Sequence, residues 1–448
     1  MSTSQLPVEV VLRILDLANE PSSDLNLLRS CSLVCKAWSA HAQKALFHSV
    51  SISAHRQYTA LVAAFQPHTS RGNNNTMMVH EPHLTRTLSQ SSIAGIPTGF
   101  PTLDSAYSDI LRGSVVELNV IIDFNQHGGL TFTELSQIVT LCPNLRRIGI
   151  SVFGMQPQGG DAAAMTNEWR MKRLAPPIPN GVLEELRTAP NASRISELRF
   201  NDWSDGSEVL FQLLSLWPHI TSLKIAGKLP TINNGINSAF SVIPHDATPC
   251  ALETLSLNCT TGAESNIDFV KWLLKGSQRT LRRLEFLKEP SGKLIEDIFT
   301  RSAFPLESVY LPSCVLPSVG QIIRYRLGPT TTPTSDGDSG SDGNHAFPQV
   351  QGLKEVFVED PSTPLKFLVS AVRSGTVQRF GFGVDGRTDL SSIARAIKAR
   401  TGLKRILVWV CNGGERNFGL RSLRIACGIR GIELEETRDV REFRVWKP

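Results

Sequence analysis

The chain has no apolar run approaching the roughly 18 residues that a membrane-crossing helix needs. It also has no block of basic residues. Lys and Arg number 46 against 41 Asp and Glu, a formal net charge of only +5 over 448 residues. The basic residues stand in ones and twos, as at Arg146-Arg147, Arg282-Arg283 and Lys404-Arg405, so nucleic-acid binding starts as a weak reading. The patterns GxSxG and HExxH are both missing. Without them Asp123, His127 and His219 belong to no nucleophile or metalloprotease motif and read as ordinary surface or loop residues. The N-terminal stretch MSTSQLPVEVVLRILDLANE lacks a basic n-region and carries Glu9 and Asp16 inside its apolar part, so it does not read as a secretory signal. A cytoplasmic and/or nuclear chain is expected, with its eight cysteines as reduced thiols.

Apolar residues make up 41 % of the sequence, which excludes a wholly disordered protein. The length exceeds one ordinary core and calls for two domains or one extended array. In the first fifty residues, Pro7 suits the opening position of a helix. Val10, Val11, Ile14, Leu15 and Ala18 then line one helical face. Pro21 to Asp24 breaks that helix, Leu25 and Leu28 begin a second apolar face, and Val34, Trp38, Ala42, Ala45 and Leu46 mark a third. Three such short helices bury too little to be robust alone and lean on a neighbour or a partner.

These residues carry a resemblance. LPVEVVLRIL, then DLNLLRSCSLVCKAW, then ALF resembles an F-box: Leu-Pro-x-Glu, an Ile-Leu pair, Ser-x-Val-Cys-Lys-x-Trp and a closing apolar pair. The resemblance implies a unit that docks on the adaptor subunit of an SCF-type ubiquitin ligase, and through it on a cullin scaffold. The residues at matching positions are Leu6, Pro7, Glu9, Ile14, Leu28, Leu33, Val34, Cys35 and Trp38. The bland reading makes about half of the apolar ones the unit's own interior.

A three-point pattern (apolar, two residues, apolar, one residue, apolar) recurs through the rest of the chain. It runs from Val115-Leu118-Val120 through Leu145-Ile148-Ile150 and Ile195-Leu198-Phe200 to Leu403-Ile406-Val408. Ile429-Ile432-Leu434 reads as a last copy and Phe47-Val50-Ile52 as a first one. From Leu118 the middle residues fall 24 to 32 apart, except for two longer gaps, Ile148 to Leu198 and Val309 to Val356. This spacing is close to that of leucine-rich repeats, with one strand per unit. LTFTELSQIVTLC, NIDFVKWLLKGS and LSSIARAIKAR read as outer helices.

The expected fold is therefore α/β: a three-helix F-box followed by a leucine-rich-repeat solenoid, with parallel strands inside and helices outside. A doubly wound α/β sheet is the alternative. The expected division is 1–52 F-box, 53–113 linker with a flexible insertion, 114–436 repeat array with insertions near 154–182 and 328–349, and 437–448 C-terminal tail. The implied function is a non-catalytic substrate receptor of a ubiquitin ligase, or else a repeat scaffold outside any ligase.

Side chains beside the last two anchors of each repeat point away from the core. Among them Arg147, Lys224, Arg283, Tyr310, Phe357, Leu407 and Trp409 are the candidate target-binding residues. The last four would form one apolar patch of the kind that carries protein-binding hot spots, or else be tucked under a capping element. Gly381 to Gly386 matches G-x-G-x-x-G, but its first two glycines fall at the strand end rather than in the following turn. Asp336 to Phe347 lacks the turn glycine and closing glutamate of a calcium loop. Cys31 and Cys35, with only His41 and His48 nearby, make a poor zinc set. No cofactor is expected.

Overall fold

The computed structural model describes residues 25–33, 36–66, 103–155, 175–203, 208–227, 229, 250–259, 265–300, 304–313, 352–399, 401–411 and 413–445. Twelve strands form one sheet in strict chain order. They are β1 (Ser49–Ile52), β2 (Glu117–Asp123), β3 (Arg147–Phe153), β4 (Glu197–Asp202), β5 (Ser222–Ile225) and β6 (Thr254–Leu257). They continue as β7 (Arg283–Phe286), β8 (Ser308–Leu311), β9 (Glu355–Val358), β10 (Arg379–Val384), β11 (Arg405–Val410) and β12 (Glu433–Thr437). Every neighbouring pair is parallel. A doubly wound sheet reverses its order part-way. This one never does, and its order is that of a solenoid.

The anchors explain the register. Val50 pairs with Leu118, Leu118 with Ile148, Ile148 with Leu198, and the same rung continues through Leu223, Leu255, Leu284, Val309, Val356 and Phe380 to Ile406. From Leu118 to Ile406 these residues are 0–1 % exposed. Across the two long gaps no strand is inserted into the sheet, because β3 pairs directly with β4 and β8 with β9. The last copy is shifted from expectation: Leu434, not Ile432, pairs with Ile406. Ile429 belongs to a helix and is 67 % exposed.

Along β2, β4, β5 and β7 the anchor face is buried while the other alternates to partial exposure, and the outer helices lie on the anchor side. At the N-terminus stand α1 (Leu25–Ser32), α2 (Lys36–Leu46), α3 (His55–Phe65) and α4 (Leu103–Ser114). The outer layer follows as α5 (Phe132–Leu141), α6 (Asn180–Thr188), α7 (Val209–Leu216), α8 (Ser265–Lys275), α9 (Gly292–Thr300), α10 (Leu365–Arg373), α11 (Leu390–Ala399) and α12 (Gly419–Arg430). The three expected outer helices are α5, α8 and α11. Thr131 starts α5 with a capping box, its hydroxyl accepting from the Glu134 N–H while the Glu134 carboxylate accepts from the Thr131 N–H.

Polar residues before the strands satisfy the last carbonyls of helices in the preceding repeat. Asn191 donates to Val139 and Cys142, Cys250 to Leu214 and Trp217, and Thr401 to Val372.

Segments read as linker, insertion or tail also contribute structure. Leu61, Phe65 and Leu111 of α3 and α4 lie in the main core, so part of 53–113 is a packed element. Ile178 and Val182 are buried in the same core, and both the N–H and the carbonyl of Ile178 bond the Gln212 side chain. Part of 154–182 is thus packed as well. The stretch after β12 forms a short helix, α13 (Val440–Val445). The polar stretch at 330–347, with the Asp336 motif, lies outside the described residues.

Candidate protein-binding surfaces

The face of the sheet opposite the outer helices carries paired charges at both ends. Near the start, Arg147 stands 3.4 Å from Glu117, and Arg199 lies 3.0 Å from Glu117 and 2.7 Å from Glu197. Near the end, Arg379 pairs with Glu355 at 2.9 Å and Arg405 with Glu433 at 2.7 Å. Pairs of this kind contribute little energy where water reaches them, but they fix the polarity of the surface. Between them the face turns to small hydroxyl residues, Ser222, Thr254 and Ser308, around Lys224, Arg283 and Glu285. Neither Lys224 nor Arg283 forms an ion pair among the described residues. Of the expected target-binding residues, Arg147, Lys224 and Arg283 thus lie on alternate strands β3, β5 and β7.

The expected apolar patch exists, and the chain covers it. Phe357 and Leu407 form a cluster with Phe443 of α13, against which Tyr310 and Trp409 pack. Phe443 is 2 % exposed, and its ring centroid lies 6.4 Å from those of Phe357 and Trp409. Phe357 is 6 % and Leu407 1 % exposed, so as an open target surface these two are corrected: the C-terminal helix sits on them. Gly381 makes the space. A Cβ there would stand 2.3 Å from Phe357 Cδ1 and 3.2 Å from Phe443 Cε2.

Beside the ring, Arg444 forks onto Glu359 at 2.8 and 2.6 Å, and the Tyr310 hydroxyl donates to the same carboxylate. Burial first, and then that carboxylate, push the Tyr310 phenol above its ordinary value, so it stays a donor. The hydrogen bonds from Arg444 to Glu359 keep its guanidinium charged.

The glycine motif has a packing account in the same place. Gly381 and Gly383 lie inside β10, and the space beside Gly383 is filled by the Glu359 carbonyl, 2.1 Å from where a Cβ would sit. Asp385 closes the following turn, accepting from the Arg387 and Thr388 N–H groups. Asp123 likewise closes a turn onto Asn125. Among the described residues no group of three or more His, Cys, Asp or Glu side chains could hold a metal ion.

Sequence reasoning missed a second feature of the free face. Phe153 and Trp203 stack at 6.2 Å with planes 9° apart, and Trp203, Met155 and Ile121 are 49, 52 and 39 % exposed. The available signal was the extra core residues Ile122 and Val152, both fully buried. They lengthen β2 and β3 beyond the four-residue strands and bring further side chains onto this face.

At the N-terminus, Leu28, Cys31 and Ala42 close a small core between α1 and α2, with Trp38, Ala45 and Leu46 packed on it. Leu33 is 86 % and Leu27 49 % exposed. The unit runs straight into the sheet: Phe47 packs on Phe65, and the His48 carbonyl accepts from the Val116 and Glu117 N–H groups at 3.0 Å each. Residues 3–53 match the F-box-like family model. The matched stretch ends just after β1. A search of curated proteins finds no match to the chain.

The F-box-like match supports the resemblance read from the sequence. Of its expected docking residues, Leu6, Pro7, Glu9, Ile14, Val34 and Cys35 lie outside the described residues. Leu28 serves the unit's own interior, Trp38 is half-buried against it, and Leu33 projects to solvent.

Proposed function

We propose that the chain is a substrate-recognition subunit of an SCF-type ubiquitin ligase. Its F-box-like unit docks the adaptor and through it a cullin scaffold. The array, of leucine-rich-repeat type, presents a target protein on the free face of the sheet. The subunit performs no bond chemistry. It holds the target near a ubiquitin-charged enzyme and so raises effective concentration. This work belongs in the cytoplasm and/or nucleus.

The observation that carries the reading is the F-box-like match at residues 3–53. The unit's continuity with the sheet supports it, because a bound target would be held in a fixed relation to the adaptor. The test is co-precipitation of the full chain with a recombinant SCF adaptor and cullin. Retention of both, lost when residues 3–53 are deleted, is expected. A chain that binds other proteins but never the adaptor would instead be a scaffold acting outside a ligase.

A further inference from the structure

The C-terminal helix reaches across the sheet with Phe443 and Arg444, while its Glu442 carboxylate accepts from the Thr437 hydroxyl at the end of β12. Asp439 starts it by accepting from the Arg441 N–H at 2.7 Å, and Thr437 braces the turn before it. Of the six residues, Phe443 is buried, whereas Arg441, Glu442 and Arg444 remain exposed. Arg444 is anchored through its guanidinium on Glu359.

Everything that receives these two side chains comes from β8 to β11 and the turn after β9. The ring socket is Phe357, Leu407 and Trp409 around the missing side chain of Gly381. The charge socket is Glu359, its carboxylate steered by the Tyr310 hydroxyl. The main-chain pairing of those strands does not depend on α13. A helix this short has no stability of its own, so its hold is that of a tethered two-point ligand. The forked contact to both carboxylate oxygens suits arginine and not lysine.

We infer that this seat is a binding site for a partner segment presenting an aromatic side chain followed directly by arginine, and that Phe443–Arg444 occupies it in cis until such a segment displaces them. That the displacing partner is a target protein rests on the receptor reading; the chemistry of the seat does not.

The test uses the full chain with Phe443→Ala and Arg444→Ala together, and a fluorescent peptide of residues 437–445 as probe. The opened chain binds the peptide at least tenfold more tightly than the unaltered chain, whose seat is filled. Peptides carrying Phe443→Ala or Arg444→Lys lose at least tenfold. Glu359→Gln in the opened chain abolishes the preference for arginine over lysine.

A chain with Arg444→Glu alone, which keeps the ring, serves as a milder opening. Either opened chain remaining folded without binding the peptide overturns the proposal, as does equal binding by opened and unaltered chains. Global unfolding of both also overturns it, because a segment that the fold requires cannot be displaced. Adaptor binding is measured on the same chains. Its failure would sink the receptor reading and leave the peptide result standing, and the converse holds as well.

Discussion

Leu28 and Leu33 sit five residues apart in the F-box-like unit and separate its interior from its solvent-exposed surface. Leu28 is 0 % exposed and Leu33 86 %. Replacing Leu33 with Ser removes nothing from the fold. If the side chain is buried against the adaptor, the loss is the full transfer of a leucine, about 1.5–3 kcal/mol. That is roughly a ten- to hundredfold weaker Kd. Leu28→Ala instead opens a cavity in the small core, at about 2–5 kcal/mol of local stability, and weakens docking only through that loss.

The assay is titration calorimetry of the full chain against the adaptor, with hydrogen exchange of α1 and α2 as the folding readout. Leu33→Ser should weaken binding with exchange unchanged, and Leu28→Ala should speed exchange. Ile429→Ser, 67 % exposed at the far end of the array, should do neither. Binding by Leu33→Ser within twofold of the unaltered chain would refute this use of the exposed leucine.

Asn191, fully buried, donates at 2.9 Å to the carbonyls of both Val139 and Cys142. Both carbonyls keep a backbone donor, so Asn191→Ala should cost only about 2 kcal/mol, near 1 per bond. Asn191→Asp, nearly the same shape, should cost more because a carboxylate then faces two acceptors. Exchange at the Cys142 and Leu145 amides reports both, and a milder Asp variant would contradict the assignment.

Burial, then the charges of Arg147 and Lys44, hold the His48 imidazole below its ordinary 6.5 despite Glu117. Below pH 6.5 the unfolded chain therefore binds more protons, and stability falls with pH until the folded-state value is reached. His48→Gln should flatten that loss in melts between pH 7 and 5. Burial pushes the thiols of Cys142 and Cys259 up to about 12 and that of Cys427 up to about 11. Peptide mapping after iodoacetamide at pH 8 should find all three unmodified in the folded chain and modified after denaturation.

The array was legible because its signal repeats: each anchor pair must reach the same core, and errors at one repeat are corrected by the spacing of the others. The last copy misled because apolar residues three apart fit a helix as well as a corner. Ile429 lies in α12, which ends only at Gly431 with its left-handed φ of 65°. The cover over Phe357 and Leu407 was illegible for a different reason. Six residues are too few for a periodicity, and Phe443 announces no destination. In the F-box-like unit, sequence alone named the apolar residues but could not divide Leu28 from Leu33, since both satisfy the same pattern.

The single rung shared from Val50 to Leu434 bears on how such a chain tolerates change over evolutionary time. Residues added between strands, as in the long connections after β3 and β8, alter the path of the chain and leave every anchor in step. One residue added inside a strand would turn that strand's anchors to the wrong face. Insertions and deletions in relatives of this chain should therefore gather between strands, where length drifts freely, while strand interiors change by substitution alone.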